Sequence, residues 1–319
     1  MLPERIPDYD DLPIDPSLPP HSAWRLFGDD DRIGTLNFIT DDEVRYASSR
    51  VRKGRVFSLN WDIALPEPPI LGRGRLKSYY VKQFAGWDDY YDSFYPQAST
   101  QWDALNHVHH PTYAYYNGHP ATDGPQGPRP PLGIEDFARR GIASRFALLD
   151  VGRYREEIGE PLDYSSKTLI TCDELDRVAE RQGVEFRQGD VLMLRFGWIG
   201  WYEQLAPADR AALGTGEVFP NPGLASQKET ARWLWDHRIA AVISDNPTLE
   251  ATPFDQTHEG GFLHYRLIPL LGLAVGELFV MDELARDCAD DQVYEGLFTA
   301  APLNHIGGAG SPGNALAIK

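Results

Sequence analysis

Four side chains able to move protons or hold a metal fall within the stretch "STQWDALNHVHH" (99–110): Asp103, His107, His109 and His110. A carboxylate four residues before an imidazole supplies part of a metal site, because such sites gather neutral imidazoles and carboxylates from more than one segment. A second segment offers both kinds: His264 in "FLHYRLIPLLG" and, 13 residues on, Glu277 in "LAVGELF". Glu277 interrupts an apolar run, where an unpaired charge is costly, so it needs a cation, a metal or a proton as partner. The plain alternatives are an arginine such as Arg195 or Arg266 beside Glu277, and an Asp-x-x-x-His spacing that arose by chance. His109 and His110 read as surface or rim residues. Aromatic side chains crowd the same region, and they suit either a core or the wall of a pocket for a flat substrate. Trp102, Tyr113 and Trp198 are the expected pocket lining.

Other catalytic signatures are missing. There is no G-x-S-x-G elbow and no H-E-x-x-H, and "GRGRLKS" has neither the lysine spacing nor the following helix of a phosphate loop. The two cysteines, Cys172 and Cys288, are far apart and have no histidine near them in sequence, which fits a reduced cytoplasmic setting and not a disulfide framework.

The elements that must position these residues are partly legible. "TDDEVRYASSRVRKG" predicts a helix with Thr40 as N-cap and Gly54 as its stop. "TCDELDRVAERQG" predicts another, with Thr171 as cap, Glu174 completing a capping box and Gly183 closing it. Further helices are expected at 227–238, at 262–272, where "FLHYRLIPLLG" is amphipathic, and over "MDELARDCA". Strands are expected at 55–63, 144–151, 189–198, 239–246, 273–279 and over "GLFTAAPL". Residues 66–100 show no clean periodicity, and 120–133 read as a surface loop. Residues 1–22, rich in proline and aspartate, read as an extended arm that wraps a neighbour or moves freely, leaving 23–319 as a single mixed α/β domain.

Thirty basic residues against 47 acidic ones leave a net charge of −17. That surface repels nucleic acid and anionic membranes, so neither is expected as a partner. The N-terminus has no basic region followed by an apolar one, and no apolar run approaches the length needed to span a bilayer.

The frame "QASTQWDALNH" (97–107) resembles the hallmark H-x-G-T-H-x-D-x-P-x-H of the cyclase family of metal-dependent hydrolases, which includes kynurenine formamidase and isatin hydrolase; Thr100, Asp103 and His107 match. "FGDDDRIGTLNFIT", "RGIASRFALLDV", "GDVLMLRFGW", "AAVISDNPTLE", "FLHYRLIPLLGLAVGEL" and "APLNHIGGAGSPGNALAI" resemble family segments in the same order. The "STQWD" form is similar to a longer subgroup of that family.

The resemblance implies a swivelling β/β/α fold, with a small barrel-like sheet flanked by helices, and a homo-oligomer. It implies one divalent metal ion (Mn²⁺ or Zn²⁺, with Mg²⁺ admissible) on Asp103, His264 and Glu277, and His107 as general base. Gln97 and Gln101 stand where the family carries metal-binding histidines. A glutamine offers only a neutral carbonyl oxygen, so Gln101 is a candidate weak ligand and Gln97 a less certain one. The implied activity is hydrolysis of a C–N or C–O bond in a cyclic or aryl amide, lactone or ester. Two alternatives remain open: a metal-independent cyclase or dehydratase using His107 and Glu277 as acid and base, and a binding protein on a degenerated hydrolase scaffold.

Overall fold

The computed structural model describes residues 3, 5–121, 131–215, 218–255 and 260–319. In chain order the strands are β1 (Val56–Ser58), β2 (Lys77–Lys82), β3 (Trp87–Asp92), β4 (Gln101–Asp103), β5 (Ile142–Asp150), β6 (Leu169–Ile170), β7 (Val191–Arg195), β8 (Gly223–Leu224), β9 (Ala241–Ser244), β10 (Ala274–Glu277), β11 (Glu295–Ala300), β12 (Gly310–Pro312) and β13 (Ala315–Ile318). The α-helices are α1 (Asp41–Ser49), α2 (Ile134–Arg140), α3 (Val151–Glu157), α4 (Cys172–Gln182), α5 (Trp198–Gln204), α6 (Pro207–Leu213), α7 (Lys228–Asp236), α8 (His264–Leu267) and α9 (Asp282–Asp291).

Nine strands form one curled, half-barrel sheet in the order β1-β13-β11-β5-β7-β9-β10-β4-β12, flanked by helices. Its centre, β5-β7-β9-β10, is parallel, so each step needs a crossover, and helices supply them. These four strands are almost wholly buried, which is why they read as continuous apolar runs and not as alternating ones. Antiparallel strands complete the sheet on both sides. The mixed α/β fold with a barrel-like sheet matches the expectation from sequence.

Several local expectations hold in detail. Thr40 caps α1, with Glu43 completing the capping box, and Gly183 closes α4 in the left-handed conformation, φ 65°. Others are corrected. α1 ends at Ser49, short of Gly54. Glu174 forms no capping box; its carboxylate is taken by Arg155, with Arg155 Nη2 donating at 2.7 Å. The helix expected over 262–272 is the single turn α8, because Pro269 has no N–H to continue it. Residues 66–100 contain the β2–β3 hairpin, which escaped notice because both of its faces are exposed and nothing forces an alternation.

The described part of the N-terminal arm packs on its own chain. The Tyr9 N–H donates to Asp236 Oδ1 (2.8 Å), Trp235 donates to Pro7 O (3.0 Å), and Tyr9 is fully buried. Of the loop expected at 120–133, residues 122–130 lie outside the described residues. Both cysteines are free. Among the described residues no helix is long and apolar enough to cross a membrane.

Candidate metal centre

The pleat of β4 decides which of its side chains can do chemistry. Gln101 and Asp103 point to one face and Trp102 to the other, because successive strand side chains alternate. Antiparallel register sets Gln101 opposite Glu277 and Asp103 opposite Val275. Two strand ends therefore bring Gln101, Asp103 and Glu277 together from positions far apart in sequence. The α8 turn, entered between β9 and β10, delivers His264 to the same place.

Asp103, His264 and Glu277 are all buried, and each offers a ligand atom within 4.8 Å of the others. His264 Nε2 lies 3.3 Å from Glu277 Oε1 and 3.7 Å from Asp103 Oδ2. Its Nδ1 donates to Glu250 Oε1 at 2.7 Å, which turns Nε2 toward the two carboxylates. Glu250 is fully buried and also accepts from the Leu263 N–H and from Ser226 Oγ (2.7 Å). Leu249 and Leu278, next to Glu250 and Glu277, both hold left-handed backbone (φ 55° and 56°). Such strain persists only where the surroundings over-determine it, as they do at a built site.

The electrostatics are those of acids crowded without enough positive charge. Burial raises the Glu277 carboxyl above its ordinary value, and Asp103 beside it raises it further against the pull of His264. Burial disfavours charge on His264, yet Glu250 and Glu277 outweigh it and lift the imidazole well above its usual range. Two buried oxygens at the site, Gln101 Oε1 and Asp103 Oδ2, have no hydrogen-bond partner among the described residues. Two carboxylates, an imidazole oriented by a further carboxylate and two unsatisfied oxygens together fit a divalent cation.

His107 stands beside this group with its ring 30% exposed, Nε2 lying 3.6 Å from Asp103 Oδ1. Burial holds it below the usual histidine range despite Asp103. Gln97 bridges the two: its amide nitrogen is 2.5 Å from Asp103 Oδ1 and 3.0 Å from His107 Nδ1. Gln101 donates to Glu277 and keeps its oxygen free. Both glutamines thus touch the site, Gln97 joining Asp103 to His107 through its amide nitrogen.

The expected pocket wall is corrected. A cavity of about 240 Å³ opens on the acids, lined by Arg73, Asp103, His107, His264 and Glu277 with Leu71, Val218, Pro247, Thr248, Phe254 and Phe262. Trp102 is turned into the core against Phe279 and Phe298. Trp198 belongs to a second aromatic cluster, stacked on Tyr202. Tyr113 is 41% exposed and stacks on His110, outside the cavity lining. His109 is exposed and His110 buried, and neither lines the cavity. Sequence reasoning missed Glu250 and Arg73. Glu250, an acid in "AAVISDNPTLE", carried the same signal as Glu277. "GRGRLKS" was informative as a charged segment, although not as a phosphate loop.

The chain matches the family described as "Putative cyclase" over residues 43–251, more than half its length. A solved structure described as a novel cyclase superposes with a TM-score of 0.81 at 30% identity, covering 93% of this chain and 99% of that one. Isatin hydrolase A from Labrenzia aggregata, bound to benzyl benzoate, has a TM-score of 0.59 at 17% identity, covering 83% of this chain and 93% of its own. Isatin hydrolase A from Ralstonia solanacearum gives 0.55 at 16%, covering 82% and 91%. At that identity the two hydrolases share the fold alone. No curated protein matches the sequence. With the family model over most of its length and a 30%-identical cyclase structure over nearly all of it, the chain belongs to the cyclase family.

Proposed function

We propose that the protein is a metal-dependent hydrolase acting on a C–N or C–O bond of a cyclic or aryl amide, lactone or ester. The observation that carries this is the buried convergence of Asp103, His264 and Glu277 at the floor of a cavity with His107 on its wall. The ion, Mn²⁺ or Zn²⁺, would be held by those three, with Gln101 Oε1 as a further oxygen donor. When bound it supplies a Lewis acid that polarises a carbonyl and makes water a stronger nucleophile.

The chain's own residues do the rest. Leu71, Phe254 and Phe262 give the cavity apolar walls that suit a ring and exclude bulk water. Glu250 fixes the His264 tautomer. His107 takes the proton from the attacking water at Nε2. For that, Nδ1 must carry the ring hydrogen, so the ring must turn its Nδ1 away from the Gln97 amide nitrogen, which stays donated to Asp103 Oδ1.

The test is hydrolysis of a panel of aryl formamides, cyclic imides and lactones by protein stripped with chelator and reloaded with Mn²⁺ or Zn²⁺. Activity should depend on reloading. His107→Ala should lower turnover by roughly 10²–10⁴-fold with metal content intact. Turnover equal before and after stripping would instead support the metal-independent cyclase or dehydratase alternative.

We also propose a homo-oligomer formed through the β2–β3 hairpin. Its twelve strand residues are all exposed, with Phe84 and Trp87 among the most open side chains, and a lone two-stranded ribbon is marginal in water.

A further inference from the structure

Arg73 is a cation in the candidate active site that none of the chemistry above employs. It lines the same cavity as Asp103, His107, His264 and Glu277, and among the described residues it is the one guanidinium in that lining. Among the described residues its buried Nη1 has no hydrogen-bond partner, and Arg73 makes no ion pair with a described carboxylate. The turn that carries it is built against local preference: Leu71 and Gly72 are successive left-handed residues, φ 54° and 74°. The Arg73 N–H closes that turn onto Ile70 O at 3.2 Å.

A guanidinium cannot shed its charge, so burial without a partner costs free energy that some anion must offset. Asp103 and Glu277 act on it only from a distance; Glu277 is held by His264 and Gln101, and Asp103 accepts from Gln97. Donors held in a rigid fork with one nitrogen unused match the two oxygens of a carboxylate. The surrounding walls, Leu71, Val218, Phe254 and Phe262, are apolar and offer such a group no competing partner.

We propose that Arg73 anchors a carboxylate on the substrate, so that the substrates are amides, lactones or esters carrying an anionic group close to the scissile bond. The substrate class rests on the hydrolase proposal; the anchor itself is read by equilibrium binding and needs no turnover. The rival role for Arg73 is charge compensation for the acids, which would move metal affinity and not ligand choice.

Benzoate and its neutral counterpart benzamide serve as probes, titrated calorimetrically into wild type, Arg73→Met and Arg73→Lys, each chelator-stripped and Mn²⁺-loaded. Wild type is expected to prefer benzoate by about tenfold or more in both metal states, the size of one charge-assisted contact. Arg73→Met should abolish the preference with Mn²⁺ affinity unchanged, and Arg73→Lys should keep part of it. The proposal is overturned if Arg73→Met, folded by circular dichroism, still prefers benzoate. It is equally overturned if wild type shows no preference, if the preference needs Mn²⁺, or if the variant loses Mn²⁺ instead. Absence of hydrolysis across the substrate panel, with an Arg73-dependent benzoate site retained, would remove the hydrolase proposal and leave the anchor.

Discussion

Replacing Glu250 by Gln should weaken metal binding although Glu250 itself holds no metal. Its Oε1 accepts the His264 Nδ1 hydrogen at 2.7 Å, and that bond keeps Nε2 directed at Asp103 and Glu277. Oε2 is occupied by Ser226 and by the Leu263 N–H. A glutamine keeps the shape but has a single acceptor oxygen, so its NH₂ must face either the His264 donor or the Ser226 and Leu263 donors. The charge that makes the imidazole more basic is also gone. Loss of such a partner typically costs 10- to 100-fold in metal affinity, about 1.4–2.8 kcal/mol. Competition against a metallochromic chelator would measure Mn²⁺ and Zn²⁺ affinities of wild type and E250Q, with thermal melts confirming that both are folded. An E250Q affinity within about twofold of wild type would refute the orienting role, since the lower edge of the expected range is tenfold.

Three further outcomes follow from other parts of the molecule. Arg145 is buried between Asp190 (2.8 and 2.5 Å) and Glu295 (2.6 Å), so Arg145→Ala, which strands the buried Asp190 and leaves Glu295 to Arg50, should cost about 3 kcal/mol in urea unfolding. Asp287 and Asp291 titrate below the ordinary carboxylate value: burial alone would raise them, but Lys53 and Lys319 outweigh it. Because the folded values are depressed, their stabilisation is present above the unfolded value and lost as pH falls through the folded one; urea midpoints should drop between about pH 5 and pH 3, and less steeply in Lys53→Met. Sedimentation should give an oligomer for wild type and a smaller species for the Phe84→Ser, Trp87→Ser double variant; unchanged mass would place the interface elsewhere.

What the sequence disclosed depended on how strongly local pattern and tertiary environment agreed. β5, β7, β9 and β10 were legible because burial on both faces demands apolar runs, and α1 because Thr40 and Glu43 cap it with their own side chains. β4 has only three residues and left no periodic signal, yet its pleat settles the role of Trp102: with 101 and 103 facing the acids, 102 must face the core. Sequence proximity gave Trp102 a neighbourhood but no direction. Trp198 was misplaced for a related reason, as its ring follows the second aromatic cluster and not the cavity. Asp103, His107, His264 and Glu277 were legible because ionisable groups in apolar runs, or clustered at short spacing, demand an explanation. Glu250 met the same condition, but its link to His264 is a loop-to-helix contact that no spacing encodes. Arg73 depends on two left-handed residues before it, one of them a leucine, which sequence does not announce.

The central claim is that Asp103, His264 and Glu277 together hold a divalent ion. Anomalous diffraction from crystals soaked in Mn²⁺, recorded for wild type and for Asp103→Asn, tests it most directly. The account predicts one strong peak in wild type within about 2.0–2.3 Å of oxygens of Asp103 and Glu277 and of His264 Nε2, and its loss or marked weakening in the variant. A wild-type map at saturating Mn²⁺ with no peak among these three residues, or a peak held by other side chains, would contradict it.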